Sequence, residues 1–240
     1  MQIITAAIQK GGTGKTTTAA AIAQAAARDG KKVLAIDLDP QGNLSFALAA
    51  QANSYSSYEL LQGEPAEPQT TAQGLQVIPA SWNLSTVATE KGSARRLQNA
   101  LEPLKRQFDL IIIDTPPTAG ELQYNALQAA TGLIIPLQAD IYNLQSLYQI
   151  AEAARQIQQS NPKLKIKGFL LTMYDNRSTI KRQMQENIII AANKIKIPFL
   201  GSVRNGIAVQ EAAALQRSLF DYAPKSKPAQ DYLNIYKNIM

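Results

Sequence analysis

A short run rich in glycine, lysine and threonine near the start of the chain restricts the folds available to it. The run is Lys10-Gly-Gly-Thr-Gly-Lys-Thr-Thr17, and it lies between an apolar stretch at 3–8 and an alanine-rich stretch at 18–27. Glycines let a backbone wrap closely around an anion, and the amide groups at the start of a helix bind phosphate. The pattern therefore predicts a buried strand, a phosphate-binding loop and a helix, in that order.

This loop departs from the strict phosphate-loop pattern, G-x-x-x-x-G-K-S/T, at its first position. Gln9 stands where that pattern requires glycine, and an additional lysine, Lys10, precedes the glycines. Lys15 supplies the positive charge expected beside phosphates, and Thr16 offers a hydroxyl to Mg²⁺. We interpret the departure at Gln9 and Lys10 as the signature of a distinct subclass of nucleotide site.

Composition limits the chemistry that this site can perform. The chain has 240 residues, is 45% hydrophobic, and contains neither cysteine nor histidine. The missing residue types exclude disulfides, thiolate catalysis and cysteine zinc sites, and they remove the usual general base. No stretch approaches ~18 uninterrupted apolar residues, and no leader pattern precedes the loop, so we predict a cytoplasmic protein. The length suits one α/β domain over residues 1–240.

Short apolar runs alternate with helical patterns along the chain. The predicted buried strands are 3–8, 33–36, 75–79, 110–113, 132–136, 167–172 and 199–203, and the predicted helices include 16–29, 94–108, 144–159 and 178–194. Such alternation predicts an α/β fold with a doubly wound, mainly parallel sheet flanked by helices, as in P-loop NTPases. The segment around 49–73, with Pro65 and Pro68, is predicted to be a less regular excursion from this domain.

Two acidic segments follow predicted strands. Asp114 ends the apolar run Leu110–Ile113, in the manner of a Walker B acid that contacts Mg²⁺ directly or through water. Asp37 and Asp39 follow the second strand, and parallel strands bring these acids to the edge that carries the phosphate loop. For segment 37–43 two interpretations stay open: a carboxylate that orients water or a metal-bound water, or a polar turn formed by Asp-Pro and Gly-Asn.

Positive charge is concentrated in the last third of the chain. Residues 1–162 carry 11 Lys/Arg and 13 Asp/Glu, whereas residues 163–240 carry 13 and 5. This asymmetry indicates a face that binds a polyanion such as nucleic acid, or else a solvated basic surface. Phosphate contacts from such a face would be independent of sequence and sensitive to salt. The candidate DNA contacts are Arg177, Lys181, Arg182, Lys194, Lys196 and Arg217, with Lys225 and Lys227 in the same third of the chain.

Taken together, the loop 10–17, the segment 37–43, Asp114-Thr-Pro-Pro117 and the segment 170–177 resemble the ParA branch of the ParA/MinD deviant Walker A ATPases. The motifs occur in the order found in that family and extend from residue 1 to about residue 230. The resemblance implies ATP and Mg²⁺ as cofactors. It also implies a homodimer when ATP is bound.

Roles for the loop residues follow from this resemblance. It implies that Lys10 reaches across an ATP-sandwich dimer to the partner's nucleotide, so that Lys10, Lys15 and Asp39 serve catalysis, with Asp39 positioning water. It further implies that the nucleotide is bound by Lys10, Gly11, Gly12, Thr13, Gly14, Lys15, Thr16 and Thr17. Among these, Gly12 permits close subunit approach and Thr17 contacts the α-phosphate. The implied metal residues are Thr16, Asp39 and Asp114.

The resemblance is weaker for the adenine and DNA contacts. It implies that Met173, Arg204 and Asn205 lie at the base, although Met173 is equally compatible with packing in the core. The family's second arginine in the segment beginning Arg204-Asn205 is absent here, so its DNA-contact role does not transfer. Asp140 stands where the family usually has glutamate, at a position expected near the dimer interface.

The function implied is an ATP-dependent DNA partition ATPase, slow until a ParB-type centromere-binding partner stimulates it. The partners expected are non-specific DNA and that protein, with no membrane, and the location expected is cytoplasmic and nucleoid-associated. The alternative is a MinD-like membrane-surface ATPase, which needs a basic amphipathic C-terminal helix. Residues 231–240 carry one lysine and one acid, which favours core packing. A third class is a metabolic P-loop enzyme or a metal-cluster carrier, and the lack of cysteine disfavours the carrier.

Overall fold

The computed structural model describes residues 1–88 and 95–240, whose strands form one eight-stranded sheet. The strands are β1 (Gln2–Ala6), β2 (Val33–Asp37), β3 (Gln69–Thr70), β4 (Gln76–Ile78), β5 (Leu110–Asp114), β6 (Gly132–Leu137), β7 (Lys165–Tyr174) and β8 (Phe199–Arg204). Their order is β3-β4-β2-β5-β1-β6-β7-β8. Every neighbouring pair is parallel except β3 and β4. The predicted mainly parallel sheet is confirmed.

Helices cover both faces of this sheet. One face carries α1 (Lys15–Arg28), α2 (Asn43–Ala47), α9 (Ile207–Ala214), α10 (Leu219–Tyr222) and α11 (Lys227–Ile239). The other carries α3 (Ser57–Gln62), α4 (Leu84–Val87), α5 (Arg96–Leu101), α6 (Glu121–Ala129), α7 (Ile141–Gln158) and α8 (Thr179–Lys194). Because both faces are covered, the strands need no polar side, which explains their continuous apolar runs.

The strand β1 lies at the centre of the sheet, between β5 and β6. The helix α1 follows it and packs through fully buried alanines, among them Ala19, Ala23 and Ala26. Small side chains let the helix approach the sheet closely, and every strand residue from Leu110 to Ile113 is likewise fully buried. The phosphate loop is therefore fixed at both ends by elements of the buried core.

Two sequence predictions need correction. The helix predicted over 94–108 begins at Ala94, which lies outside the described residues, and the rest divides into α5 and a 3-10 turn at Glu102–Arg106. Pro103 explains this division, because proline lacks an amide donor and clashes with the preceding helical turn.

The segment around 49–73 is more regular than predicted. It contains α3 and the edge strand β3. A capping box begins α3: the Ser56 hydroxyl accepts a hydrogen bond from the Tyr58 amide, and the Glu59 carboxylate accepts one from the Ser56 amide at 2.9 Å. Ser56 and Glu59, two polar residues of this segment, are thus the start signal of a helix.

The last helix, α11, packs against the core as predicted. Tyr232, Ile235, Tyr236 and Ile239 are buried. The Tyr232 hydroxyl lies 3.3 Å from the Thr18 hydroxyl of α1, and the Tyr236 hydroxyl donates to Asp29 at 2.8 Å. Among the described helices, none is both long enough and apolar enough to span a bilayer.

Candidate functional site

The loop between β1 and α1 is held by the strand β7. Gly12 and Gly14 adopt left-handed backbone conformations, with φ of 71° and 81°. The Thr172 hydroxyl of β7 donates to the Thr13 carbonyl at 2.8 Å. A Cβ atom on Gly14 would lie 3.2 Å from the Thr172 methyl group, which must then shift. Conformation and space therefore both favour glycine at position 14.

The two lysines of the loop differ in exposure. Lys15 is only 6% exposed, and its Nζ donates to the Lys10 carbonyl at 2.9 Å. Burial lowers the pKa of Lys15, against the opposing charges of Asp114 and Asp39. The Lys10 side chain is 32% exposed, and its Nζ lies 3.1 Å from both carboxylate oxygens of Asp140. Lys15 thus lies inside the loop, whereas Lys10 lies at its rim in an ion pair within its own chain.

A direct hydrogen bond joins the loop to the end of β5. The Thr16 hydroxyl donates to Asp114 Oδ2 at 2.6 Å. Asp114 is fully buried, and burial together with the neighbouring Asp37 charge raises its pKa well above the usual range. Its other oxygen, Oδ1, has no hydrogen-bond partner within the described residues. A buried carboxylate oxygen without a partner suits a bound cation or its water.

The donors at this point fit Mg²⁺, which binds proteins through few oxygens and keeps water or phosphate as its other ligands. Thr16 and Asp114 are two such donors, and Asp39 lies close enough to influence Lys15. Within residues 1–88 and 95–240, no group of three or more Asp, Glu, His or Cys side chains could hold a metal. Nucleotide phosphates and water are the ligands that Mg²⁺ ordinarily takes beside so few protein oxygens.

Asp37 organises the acidic turn from inside the protein. It is fully buried beside Asp114 in the register of β2 and β5. Its carboxylate accepts hydrogen bonds from the Asp39 amide at 3.0 Å, and from the Ser45 amide and hydroxyl at 2.8 and 2.7 Å. Burial nevertheless raises the pKa of Asp37 to about 6. Sequence reasoning gave Asp37 no role of its own, although it ends an apolar strand as Asp114 does.

Asp39 lies in the same turn and faces an open cleft above the phosphate loop. It is 7% exposed and lines the cleft, while its Oδ1 accepts a hydrogen bond from the Gln41 amide at 3.0 Å. The polar turn indicated by the sequence is therefore present, and Asp39 is part of it, because its carbonyl also accepts a hydrogen bond from the Gly42 amide at 2.9 Å. A role for Asp39 towards water or a metal stays a prediction.

A cleft of about 510 Å³ opens above the loop and continues along α1. It is lined by Gly11–Thr17 and Asp39, and farther along by Ala20, Ala21, Phe46, Val209 and Ala213. A cavity of about 120 Å³ adjoins it at Gly14 and Thr17, and is lined by Met173, Arg204, Asn205, Gly206 and Gln210, among others. The three residues predicted for the base thus lie together, next to the phosphate loop.

Met173 lies at the surface of this cavity and is 40% exposed, so the core-packing alternative is wrong. Its φ is 49°, a left-handed conformation that is uncommon for a residue with a side chain. The Lys181 ammonium donates to its carbonyl at 3.3 Å, and the Gln138 amide lies 3.6 Å from its sulfur. Such backbone strain is concentrated at binding sites in proteins.

The Arg204 guanidinium forms hydrogen bonds with Asp231 of α11. Its Nε and NH2 donate to Asp231 at 2.8 and 2.7 Å, and the Arg204 amide also donates to Asp231 at 2.9 Å. The side chain predicted to read the base is therefore directed at a carboxylate of the last helix. Through these hydrogen bonds Arg204 anchors the loop that continues into Asn205 and Gly206, which line the cavity.

The candidate DNA contacts fall in three separate places. Arg177, Lys181 and Arg182 surround the start of α8, and Arg177 pairs with Asp175 at 3.1 Å. Lys194 and Lys196 lie at the other end of this 16-residue helix, which spans about 24 Å. Arg217 follows α9, lines the cleft and lies 5.6 Å from the Tyr222 ring centre. The structure does not bring these six residues together.

Comparison with known proteins identifies the family. Residues 1–166 match the family model described as an AAA domain. The chromosome-partitioning ATPase Soj of Thermus thermophilus is 35% identical over 240 residues, covering 99% of this chain and 94% of the relative. The chain belongs to the ParA/MinD family, in its Soj-like branch.

Solved structures of similar proteins agree with the fold. Cobyrinic acid a,c-diamide synthase of Mycobacterium smegmatis, with bound ADP and magnesium, has a TM-score of 0.83 and 32% identity over 99% of this chain and 93% of that chain. A Cyanothece McdA–ATP complex has a TM-score of 0.86 and 25% identity over 100% and 95%. Two proteins with this fold thus bind nucleotide, one of them with magnesium, and the predicted P-loop NTPase fold class is confirmed.

Asp37 makes stability depend on pH. The buried carboxyl keeps its proton to about pH 6, whereas the ordinary value is 3.8, so folding takes up a proton between these values. Raising the pH through this window therefore lowers the free energy of unfolding. We predict that Asp37→Asn flattens this part of the profile, measured by urea unfolding without nucleotide or Mg²⁺.

The control for this measurement is Asp221→Asn, because the Asp221 side chain is 69% exposed. Its pH profile should run parallel to that of the wild type. Parallel profiles for Asp37→Asn and the wild type would contradict the raised pKa of Asp37 in the folded protein.

Proposed function

We propose that this chain is an ATP-dependent DNA partition ATPase. ATP closes a sandwich dimer, the dimer binds DNA without sequence preference, and hydrolysis releases the DNA. Intrinsic hydrolysis is slow, and a ParB-type centromere-binding protein stimulates it. Full-length relatives named for chromosome partitioning support this interpretation over that of a metabolic P-loop enzyme.

The observation that carries the proposal is the contrast between the two lysines of one loop. Lys15 is buried and directed into the loop, where it would bind the β- and γ-phosphates. Lys10 is directed away from the loop interior and is held by Asp140 at the rim. An ion pair with this much exposure contributes at most about 1 kcal/mol. Lys10 can therefore leave Asp140 for the phosphates of a partner's nucleotide.

The remaining residues have distinct tasks in this proposal. Thr16 and Asp114 would hold Mg²⁺, which supplies positive charge to the phosphate oxygens when it is bound. Asp39 orients the attacking water from the cleft side of its turn, and Asp37 holds that turn in position. Catalysis then consists of positioning and electrostatic stabilisation by preorganised groups.

The MinD-like alternative has less support. A membrane-surface helix needs an unpartnered apolar face, and the apolar face of α11 is buried against the sheet and α1. We therefore keep membrane binding only as an outcome of the functional test.

That test measures DNA binding with ATP, with ADP and without nucleotide, by anisotropy on long duplexes of unrelated sequence over a salt series. We expect ATP-dependent binding that is independent of sequence and weakens steeply with salt, because phosphate contacts release counterions. Equal binding in all three nucleotide states would contradict the proposal. ATP-dependent pelleting with anionic vesicles, without DNA binding, would favour the MinD-like alternative.

Lys10→Gln should abolish ATP-dependent dimerisation, measured by analytical ultracentrifugation, because it removes the charge that reaches the partner's phosphates. The matched control is Lys31→Gln, which neutralises an exposed lysine beyond the end of α1 and should dimerise normally. The urea midpoint of Lys10→Gln should change little, since its ion pair is partly exposed. Normal dimerisation and ATPase activity in Lys10→Gln would remove its proposed role.

Asp231→Asn should weaken ATP binding about tenfold, because it loosens the loop at Arg204 that borders the base cavity. Inorganic triphosphate lacks the base, so its affinity should be unchanged. Calorimetric titration with both ligands measures the difference, and Asp221→Asn serves as the control. Equal losses for the two ligands would mean that Asp231 acts on the fold or the phosphate loop, not on the base cavity.

A further inference from the structure

The loop between β8 and α9 contains two amide groups without hydrogen-bond partners. It begins Arg204-Asn205-Gly206, where the sequence departs from the family's pattern. The main chain is anchored at the start of the loop, because the Arg204 amide donates to Asp231 and the Asn205 amide donates to the Tyr174 carbonyl. Within the described chain, however, neither the Asn205 side-chain amide nor the Gly206 main-chain amide makes a hydrogen bond. Both groups are therefore free to react.

An asparagine followed by glycine is chemically labile. The main-chain nitrogen of the glycine, once it has lost its proton, attacks the side-chain Cγ of the asparagine and expels ammonia, which closes a cyclic imide. Water then opens the imide at either of its carbonyl groups, and the product is aspartate or isoaspartate. The net change consumes water, releases ammonia and replaces NH2 by OH, without oxidation or reduction. A side chain on the second residue hinders the attack, and glycine has none.

The glycine amide distinguishes this pair from similar pairs in the chain. Among the residues that the structure describes, four other glycines follow an aspartate or a glutamine, and in each pair the glycine amide donates to the carbonyl three residues earlier, at 2.9–3.2 Å. These pairs are Asp29-Gly30, Gln41-Gly42, Gln62-Gly63 and Gln73-Gly74. A hydrogen-bonded amide is held in place and keeps its proton more firmly. Asn205-Gly206 therefore combines the more reactive side chain with the unheld nitrogen.

Packing explains why glycine follows Asn205. The φ of Gly206 is −167°, an extended conformation that any residue adopts, so the backbone does not require glycine. Space does, because a Cβ atom on Gly206 would lie 3.1 Å from Cγ and 3.2 Å from Cδ of Pro228, in the first turn of α11. A larger residue that would protect Asn205 therefore does not fit here without a shift of α11. Asn205 itself is exposed, so water reaches it.

We propose that Asn205 is a site of spontaneous deamidation, and that its products weaken the binding of nucleotide at the adjoining cavity. The covalent step needs only water and the two residues themselves. The effect on nucleotide rests on the proposed function, which places ATP on the phosphate loop and its base in this cavity. The modification would then mark older molecules by a lower affinity for ATP.

Two changes at the cavity would lower that affinity. Asn205 lines the cavity of about 120 Å³ together with Gly14 and Thr17 of the phosphate loop. A carboxylate at this position repels the phosphates of a nucleotide. Isoaspartate also carries the main chain through its side-chain carbon, which lengthens the loop between the anchored Arg204 and the closely packed Gly206. The lining of the cavity is therefore displaced as well as charged.

The fold should tolerate the new charge. Gly206 is the N-cap residue of α9, so a carboxylate at position 205 lies just before the start of this helix. Negative charge at a helix start is favoured by the helix dipole. The urea midpoint of Asn205→Asp should therefore be no lower than that of the wild type, which separates an effect on the cavity from loss of structure.

The covalent step is tested by ageing the full-length wild-type protein without nucleotide at neutral and at mildly alkaline pH. Mass spectrometry of the tryptic peptide 205–217 measures deamidation, and enzymatic methylation of isoaspartate identifies that product. A sample digested before ageing sets the background. We expect modification that is faster at the higher pH, because the Gly206 amide must lose its proton. The peptide 183–194 is the internal control, since its asparagines, Asn187 and Asn193, lie within α8 and should stay unmodified.

The effect on nucleotide is tested by calorimetric titration with ATP. Asn205→Asp should bind about fivefold more weakly than freshly prepared wild type, because like charges repel across a partly hydrated cavity. The matched control, Asn187→Asp, adds the same charge at an exposed position of α8 and should bind normally. Aged wild type should lose affinity as peptide 205–217 is modified. Asn205→Gln forms the cyclic imide far more slowly, and ageing should leave its own affinity unchanged.

The inference is overturned if peptide 205–217 stays unmodified, or if peptide 183–194 is modified as fast. Modification of Asn205 without loss of ATP affinity also overturns it, as does equal weakening in Asn187→Asp. Failure of the proposed function has a different signature. If freshly prepared wild type binds ATP but no DNA in any nucleotide state, the proposed function fails, while the ageing and titration experiments still decide this inference.

Discussion

Asp37 and Asp114 are buried side by side at the ends of parallel strands, and the arrangement of the site depends on compensating their charge. Burial of carboxylates in apolar surroundings destabilises a fold unless they receive hydrogen bonds or a cation. Asp37 accepts three hydrogen bonds from the turn that follows it. Asp114 receives one from Thr16 and lies near Lys15. The loop that would bind phosphate therefore also stabilises the sheet beneath it.

Much of this arrangement could be predicted from the sequence because its signals are local. Apolar runs covered on both faces gave the seven longer strands, and the glycine pattern gave the loop between β1 and α1. The contact between Thr16 and Asp114 joins residues 98 positions apart. It was nevertheless foreseeable, because parallel strands bring their carboxyl ends to one edge of the sheet.

Other features could not be predicted, since they depend on pairs without a local pattern. Arg204 meets Asp231 and Lys10 meets Asp140 only because the fold brings separate elements together. The positions of the basic residues in 163–240 are a further example. The charge count located the positive charge in this third of the chain. Only the folded chain shows that Arg177 and Lys194, at the two ends of α8, lie on opposite edges of the sheet. The edge strand β3 is too short for its two residues to form a pattern.

The attachment of α11 has a practical consequence for work on this molecule. Its residues contact both the phosphate-loop helix and the lining of the small cavity beside the loop, through Tyr232 to Thr18 and through Asp231 to Arg204. An affinity tag or fluorescent protein fused directly to α11 would disturb a helix that contacts the cleft's supporting elements. Nucleotide affinities measured with such a fusion would include the effect of that disturbance.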